Sequence, residues 1–72
     1  MKMVRVFKTK SNIEAMGIEN LYNQNDIPCR IINKMDSAYA HSFGEIEIYV
    51  EKTYVIKAKY LLKNYLNQSI DD

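Results

Sequence analysis

Apolar and polar residues alternate along Met3-Val4-Arg5-Val6-Phe7-Lys8-Thr9, and the apolar ones are β-branched or aromatic, a pattern that predicts a strand. Strict alternation places Val4 and Val6 on one face, with Arg5 and Phe7 on the other. The period then changes. Ser11-Asn12-Ile13-Glu14 has the form of a capping box, in which the Ser11 hydroxyl takes the amide of Glu14 while the Glu14 carboxylate reaches back to the amide of Ser11. Ala15, Ile18, Leu21 and Tyr22 recur at helical spacing behind it, with Met16 beside them and Glu14, Glu19, Asn20 and Asn23 left for solvent. Gly17 falls mid-helix, either because a strand packs closely against it or as a surface glycine of no consequence.

Asn25-Asp26 tolerates the left-handed conformation and Pro28 biases Ile27 toward extended backbone, so this helix ends before Ile27. Cys29-Arg30-Ile31-Ile32-Asn33 reads as a second strand. From Lys34 to Phe43 no period is visible, which predicts a ten-residue loop closed by Gly44. Glu45-Ile46-Glu47-Ile48-Tyr49-Val50 is the clearest strand, with Ile46, Ile48 and Val50 inward and Glu45, Glu47 and Tyr49 outward. After Glu51-Lys52 a second helix carries Tyr54, Val55, Ala58, Leu61, Leu62 and Tyr65 as an apolar stripe, opposed by Lys57, Lys59, Lys63 and Asn64.

The predicted order is βαββα. A right-handed βαβ unit whose parallel strands are separated by a third, antiparallel strand is the split arrangement of ferredoxin-like α+β folds, with a three-stranded antiparallel sheet and both helices on one face. The expected core is Val4, Val6, Ala15, Ile18, Leu21, Ile31, Ile46, Ile48, Val50, Ala58, Leu61 and Leu62. Residues 1–66 form one domain in this reading, with 67–72 a polar tail. Such a sheet leaves two edges and one open face, which invites a partner chain or a second copy.

Composition narrows the possibilities further. The 72 residues are 47% hydrophobic and 26% charged, too apolar for a disordered tail, and no apolar run approaches the ~18 residues of a membrane span. Ten basic and nine acidic residues leave a net charge of +1, so the whole-molecule field neither demands a polyanion nor repels one. The single cysteine, Cys29, makes no internal disulfide, and Met1-Lys2-Met3-Val4-Arg5 has no apolar core of an export signal; a cytoplasmic protein is expected.

With the elements placed, a resemblance follows. Glu14-Ala15 at the first helix start, Leu21 and Ile27-Pro28 at its exit, Gly44 with Ile46, Ile48 and Val50, and Ala58 before Leu61-Leu62 resemble a small prokaryotic family of signal-transducing proteins of unknown function, over roughly residues 3 to 62. Asp26 stands where that family usually has glycine. The resemblance implies a ferredoxin-like fold related to the PII nitrogen-signalling proteins, and it supplies no ligand or catalytic residue. In PII proteins the loop between the second and third strands reaches out to partners; here that stretch is about half as long and holds Tyr39, His41 and Phe43.

Candidate chemistry is sparse. Cys29, His41 and Asp36 lack the spacing of a zinc site, and Cys29 with His41 has nothing to enforce convergence as a nucleophile and base. Glu45 and Glu47 share a strand face ~7 Å apart, as an exposed alternating strand does without any catalytic purpose. No phosphate-cradling glycine motif occurs. The expectation is therefore a module without catalytic residues, metal or cofactor that acts through protein-protein association, including self-association into a dimer or small oligomer, with a small-molecule effector also compatible. Its candidate contact residues are Tyr39, His41 and Phe43 on the loop and Phe7, Ile32 and Tyr49 on the open face. The alternative is an RNA-binding domain in which Phe7 and Tyr49 stack bases and Arg5 and Arg30 meet phosphates. Glu45 and Glu47 on the same face argue against it.

Overall fold

A computed structural model describes residues 2–34 and 44–70, the last three by backbone alone. The chain runs β1 (Met3–Thr9), α1 (Asn12–Gln24), β2 (Cys29–Asn33), β3 (Ile46–Glu51), a single 3-10 turn at Lys52–Tyr54, and α2 (Val55–Ile70). The sheet order is β1-β3-β2, and β3 is antiparallel to both neighbours. β1 and β2 are thus parallel and separated by β3, the split α+β ferredoxin-like arrangement expected from the residue pattern.

Both helices cover one face. Ile46, Ile48 and Val50 from β3 are buried against Ala15, Ile18 and Tyr22 of α1 and Ala58 and Leu62 of α2. Two fully buried residues, Tyr22 and Ile27, lie outside the expected core set, whereas Val4, Val6, Leu21, Ile31 and Leu61 are only half-buried. The Tyr22 ring reaches across the layer so that its hydroxyl donates to the Ala58 carbonyl oxygen at 3.0 Å. A tyrosine can be buried at the centre of a small domain when its hydroxyl finds such a partner. Burial, with a smaller contribution from the neighbouring Cys29, pushes its pKa up to about 12.

The start of α1 uses half of a capping box. Ser11 Oγ accepts the Glu14 amide at 3.1 Å, but the Glu14 carboxylate accepts from Thr9 Oγ1 at 2.7 Å, and Thr9 Oγ1 in turn accepts the Ser11 amide at 3.0 Å. Thr9 therefore relays the return contact and ties the end of β1 to the first turn of α1. At the other end Asp26 adopts φ 58, the left-handed region, while the Ile27 amide closes back on the Tyr22 carbonyl at 2.9 Å. That closure satisfies an orphan helix carbonyl and aims Ile27 into the core.

Gly17 does not face a strand. A Cβ there would collide with the Tyr65 hydroxyl of α2 and lie 3.2 Å from Cζ of the same ring, so the glycine lets the two helices approach. The contacts of Gly17 with Tyr65 and of Tyr22 with Ala58 run in opposite chain directions, which makes α1 and α2 antiparallel.

β1 departs from strict alternation. Val4 pairs with Val50 and Arg5 with Tyr49, but Phe7 pairs with Ile48, so the register slips by one residue at Val6. In a bulge of this kind two successive side chains point to the same side of the sheet. Val6 and Phe7 both pack against the core. The expectation that Phe7 lies on the open face with Arg5 is therefore incorrect, because Val6 is the inserted residue that returns Phe7 to the helix side.

Candidate functional site: the open sheet face

The side of the sheet away from the helices is organised around one carboxylate. Register places Arg5, Tyr49 and Arg30 in one row across β1, β3 and β2, and Lys8, Glu47 and Ile32 in the next. The ladder continues past β2 through the Lys34 amide, which donates to the Glu45 carbonyl at 2.9 Å and brings Lys34 onto the same face.

Glu47, at 6% exposure, is the only buried charged side chain among the described residues. Its Oε2 lies 3.0 Å from Arg5 Nη1, its Oε1 lies 3.1 Å from Lys34 Nζ, and the Tyr49 hydroxyl donates to Oε1 at 2.8 Å. Burying a carboxylate is costly unless charge and hydrogen bonds compensate, and here both oxygens are engaged. The hydrogen bond from Tyr49 is the strongest influence holding Glu47 below the usual carboxylate range; burial works the other way, and Lys34 and Arg5 reinforce the lowering. The same hydrogen bond, followed by burial, raises the Tyr49 phenol. Glu45 pairs with Lys8 at 3.7 Å. Arg30 is exposed and has no ion pair among the described residues.

The structure brings together four of the expected site residues, Arg5, Arg30, Ile32 and Tyr49, and removes Phe7. Tyr39, His41 and Phe43 lie outside the described residues. Lys34 and Glu47 were not among the expected contact residues, although the alternation of β3 already put Glu47 on this face. Lys34 falls in the predicted loop because no apolar period continues beyond Asn33.

Among the described residues little else suggests covalent or metal chemistry. Among the described residues no group of three or more histidine, cysteine or acidic side chains could hold a metal ion. Burial, aided by Glu19, raises the Cys29 thiol and so disfavours its thiolate. No helix among the described residues is long and apolar enough to cross a membrane.

Fold and site together define a small α+β module of the split βαβ class, with helices on one side and a charged, ordered face on the other. The chain belongs to the family described as "Putative prokaryotic signal transducing protein", whose model matches residues 3–65. That description names signalling and no enzymatic activity. No curated protein and no solved structure matches the chain.

Proposed function

We propose that this protein is a non-enzymatic adaptor that binds a protein partner through its open sheet face. The observation that carries this reading is the burial of Glu47 at the centre of a face that neither helix covers, clasped by Arg5, Lys34 and Tyr49. Long cationic side chains on a surface normally sample many rotamers, and immobilising them on binding costs ~0.5 to 1.5 kcal/mol each. Here two of them are already held. Arg30, which has no ion pair among the described residues, and the half-buried Ile32 stand beside the clasp, one charged and one apolar.

The same geometry disfavours the RNA alternative. Base stacking needs exposed aromatic rings, and with Phe7 turned to the core only Tyr49 remains of the proposed pair, its hydroxyl committed to Glu47. Glu47 and Glu51 of the middle strand and Glu45 just before it form a line of carboxylates where a phosphate backbone would have to pass. A protein surface with one acidic group for Arg30 and an apolar contact for Ile32 fits better.

A photo-cross-linking residue at position 32 tests this in cells. The expected result is a discrete protein adduct that disappears when Arg30→Glu is added and persists when Lys63→Glu is added on the opposite side. Adducts with RNA alone, or protein adducts indifferent to Arg30→Glu, would overturn the assignment.

A further inference from the structure

The outer surface of the helical layer is divided by charge. α1 contains Glu14 and Glu19 and no basic residue; α2 contains Lys57, Lys59 and Lys63 and no acidic one. Glu14 is engaged with Thr9, while Glu19 and the three lysines are exposed. The same surface holds the large apolar side chains that folding leaves in water: Ile13 at 84% and Met16 at 67% on α1, Ile56 at 86% and Tyr60 at 65% on α2. Ile13 and Met16 are three positions apart and Ile56 and Tyr60 four, so each pair forms one patch on its helix. Because the helices are antiparallel, with Gly17 beside Tyr65 and Tyr22 beside Ala58, the two patches occupy diagonal corners of the layer.

We infer that a second copy of this chain covers the helical layer, related by a two-fold axis lying in the plane of the layer. The axis sets Ile13 and Met16 of each copy on Ile56 and Tyr60 of the other, and acidic α1 against basic α2. In an isologous contact one surface meets itself, so that where residue i of one copy touches residue j of the other, j touches i in return. Two unlike patches at opposite corners, each on a helix of opposite charge, supply that complementarity within one molecule. An anionic lipid surface would suit the lysines and Ile56 of α2 but would meet Glu19 and a lysine-free α1 on the same side of the molecule. Covering these side chains in both copies removes on the order of 1,000 Å² from water, near the lower limit of specific interfaces, which is the size class of weak association. This surface is opposite the open sheet face and does not depend on the adaptor reading.

Sedimentation velocity from about 5 µM to 1 mM tests the inference. Two variants are compared, one carrying Ile13→Asp and Met16→Asp, the other Ile56→Asp and Tyr60→Asp. All four positions are exposed, and far-ultraviolet circular dichroism checks that both variants fold; if either loses helical signal, Ile13→Ser and Ile56→Ser replace them. The wild-type protein is expected to shift from monomer to dimer across the series, and each variant alone to associate at least tenfold more weakly. An equimolar mixture of the two should recover part of the association, because one of its two contacts joins an intact α1 patch to an intact α2 patch. A wild-type monomer at 1 mM, association untouched by either variant, or a mixture no better than its components would each overturn the inference. So would binding of monomeric wild-type protein to phosphatidylglycerol vesicles that Ile56→Asp abolishes. Cross-linking at position 32 should survive in both variants, which keeps failure here distinct from failure of the adaptor reading.

Discussion

Replacing Glu47 with glutamine probes the clasp while altering little else. The amide keeps the shape of the side chain and still accepts from the Tyr49 hydroxyl, but the charge that attracts Arg5 and Lys34 is lost. Removing one member of a fully buried ion pair costs ~3 to 5 kcal/mol, because the other charge is stranded. Here the Arg5 side chain is 49% exposed and that of Lys34 31%, so both cations can turn to water and the cost falls to about 1 to 2 kcal/mol at pH 7. In a domain of this size that corresponds to a Tm lower by roughly 4 to 16 °C.

The pH dependence of that difference is the sharper part of the prediction. The folded protein holds Glu47 below its ordinary value, so between the folded pKa and the unfolded one, ~4.3, the unfolded chain binds more protons and stability rises with pH. The contribution is therefore complete above about pH 5 and is lost as pH falls through ~4.3 and then through the folded value. Urea unfolding of both proteins at pH 7, 5, 4 and 3, followed by far-ultraviolet circular dichroism, should show the gap between wild type and Glu47→Gln closing over the acid steps. Other carboxylates titrate in both proteins and cancel in the difference. A gap below ~0.3 kcal/mol at pH 7, or one that persists undiminished at pH 3, would refute the argument that the charge on Glu47 is held by its neighbours.

Phe7→Ala should cost about 2 kcal/mol in urea unfolding and leave cross-linking at position 32 unchanged, because the bulge turns the ring to the core; a cost under ~0.5 kcal/mol would return it to the open face. Gly17→Ala gains up to ~1 kcal/mol of helix propensity but forces a methyl into Tyr65, so it should destabilise by about 1 kcal/mol. In a Tyr65→Phe background the same change should cost little or become favourable, and additive effects in the two backgrounds would show that the helices do not meet there. Tyr22→Phe should cost roughly 0.5 to 1.5 kcal/mol, the net worth of one hydrogen bond, because the Ala58 carbonyl lies inside α2 and keeps its place in the helix ladder. Because the Tyr22 pKa is raised to about 12, the wild-type protein should lose stability as pH climbs from 10 toward 12, and Tyr22→Phe should flatten that limb relative to wild type.

The residue pattern made the order of elements legible because each signal was strong and local: the alternation of β3, the serine cap of α1 and the Ile27-Pro28 exit all depend on near neighbours in the chain. What escaped it depends on partners far along the chain. The Val6 bulge adds no breaker residue, and its one local trace, the apolar doublet Val6-Phe7 in a strand read as alternating, does not by itself say to which side the second ring turns. Tyr22 is amphipathic, and only the position of the Ala58 carbonyl decides that its hydroxyl can be buried. The same limit explains the site. Arg5, Tyr49, Arg30 and Ile32 could be placed on the open face by parity, but parity alone failed for Phe7, and the convergence of Lys34 on Glu47 depends on the ladder continuing one residue beyond β2.

The two proposed surfaces constrain one another through the architecture. Helices and open face lie on opposite sides of a single sheet, so covering the helical layer leaves Arg30, Ile32 and the Glu47 clasp accessible. A dimer built on the helices would then present two open faces directed away from each other. Such an arrangement cannot place both faces on adjoining epitopes of one small partner, but it can join two partners, or two copies of one partner held on a larger assembly. In the latter case the second contact forms at an effective concentration that can reach the millimolar range, so weak individual contacts gain avidity. Protein concentration then becomes the controlling variable: below the dimer Kd each copy binds singly and releases quickly, and above it the same face bridges. Partner residence time measured on a densely coated surface should accordingly lengthen with protein concentration for the wild type and stay constant for the Ile56→Asp, Tyr60→Asp variant. A concentration-dependent residence time that survives in that variant would place the bridging contact elsewhere on the chain.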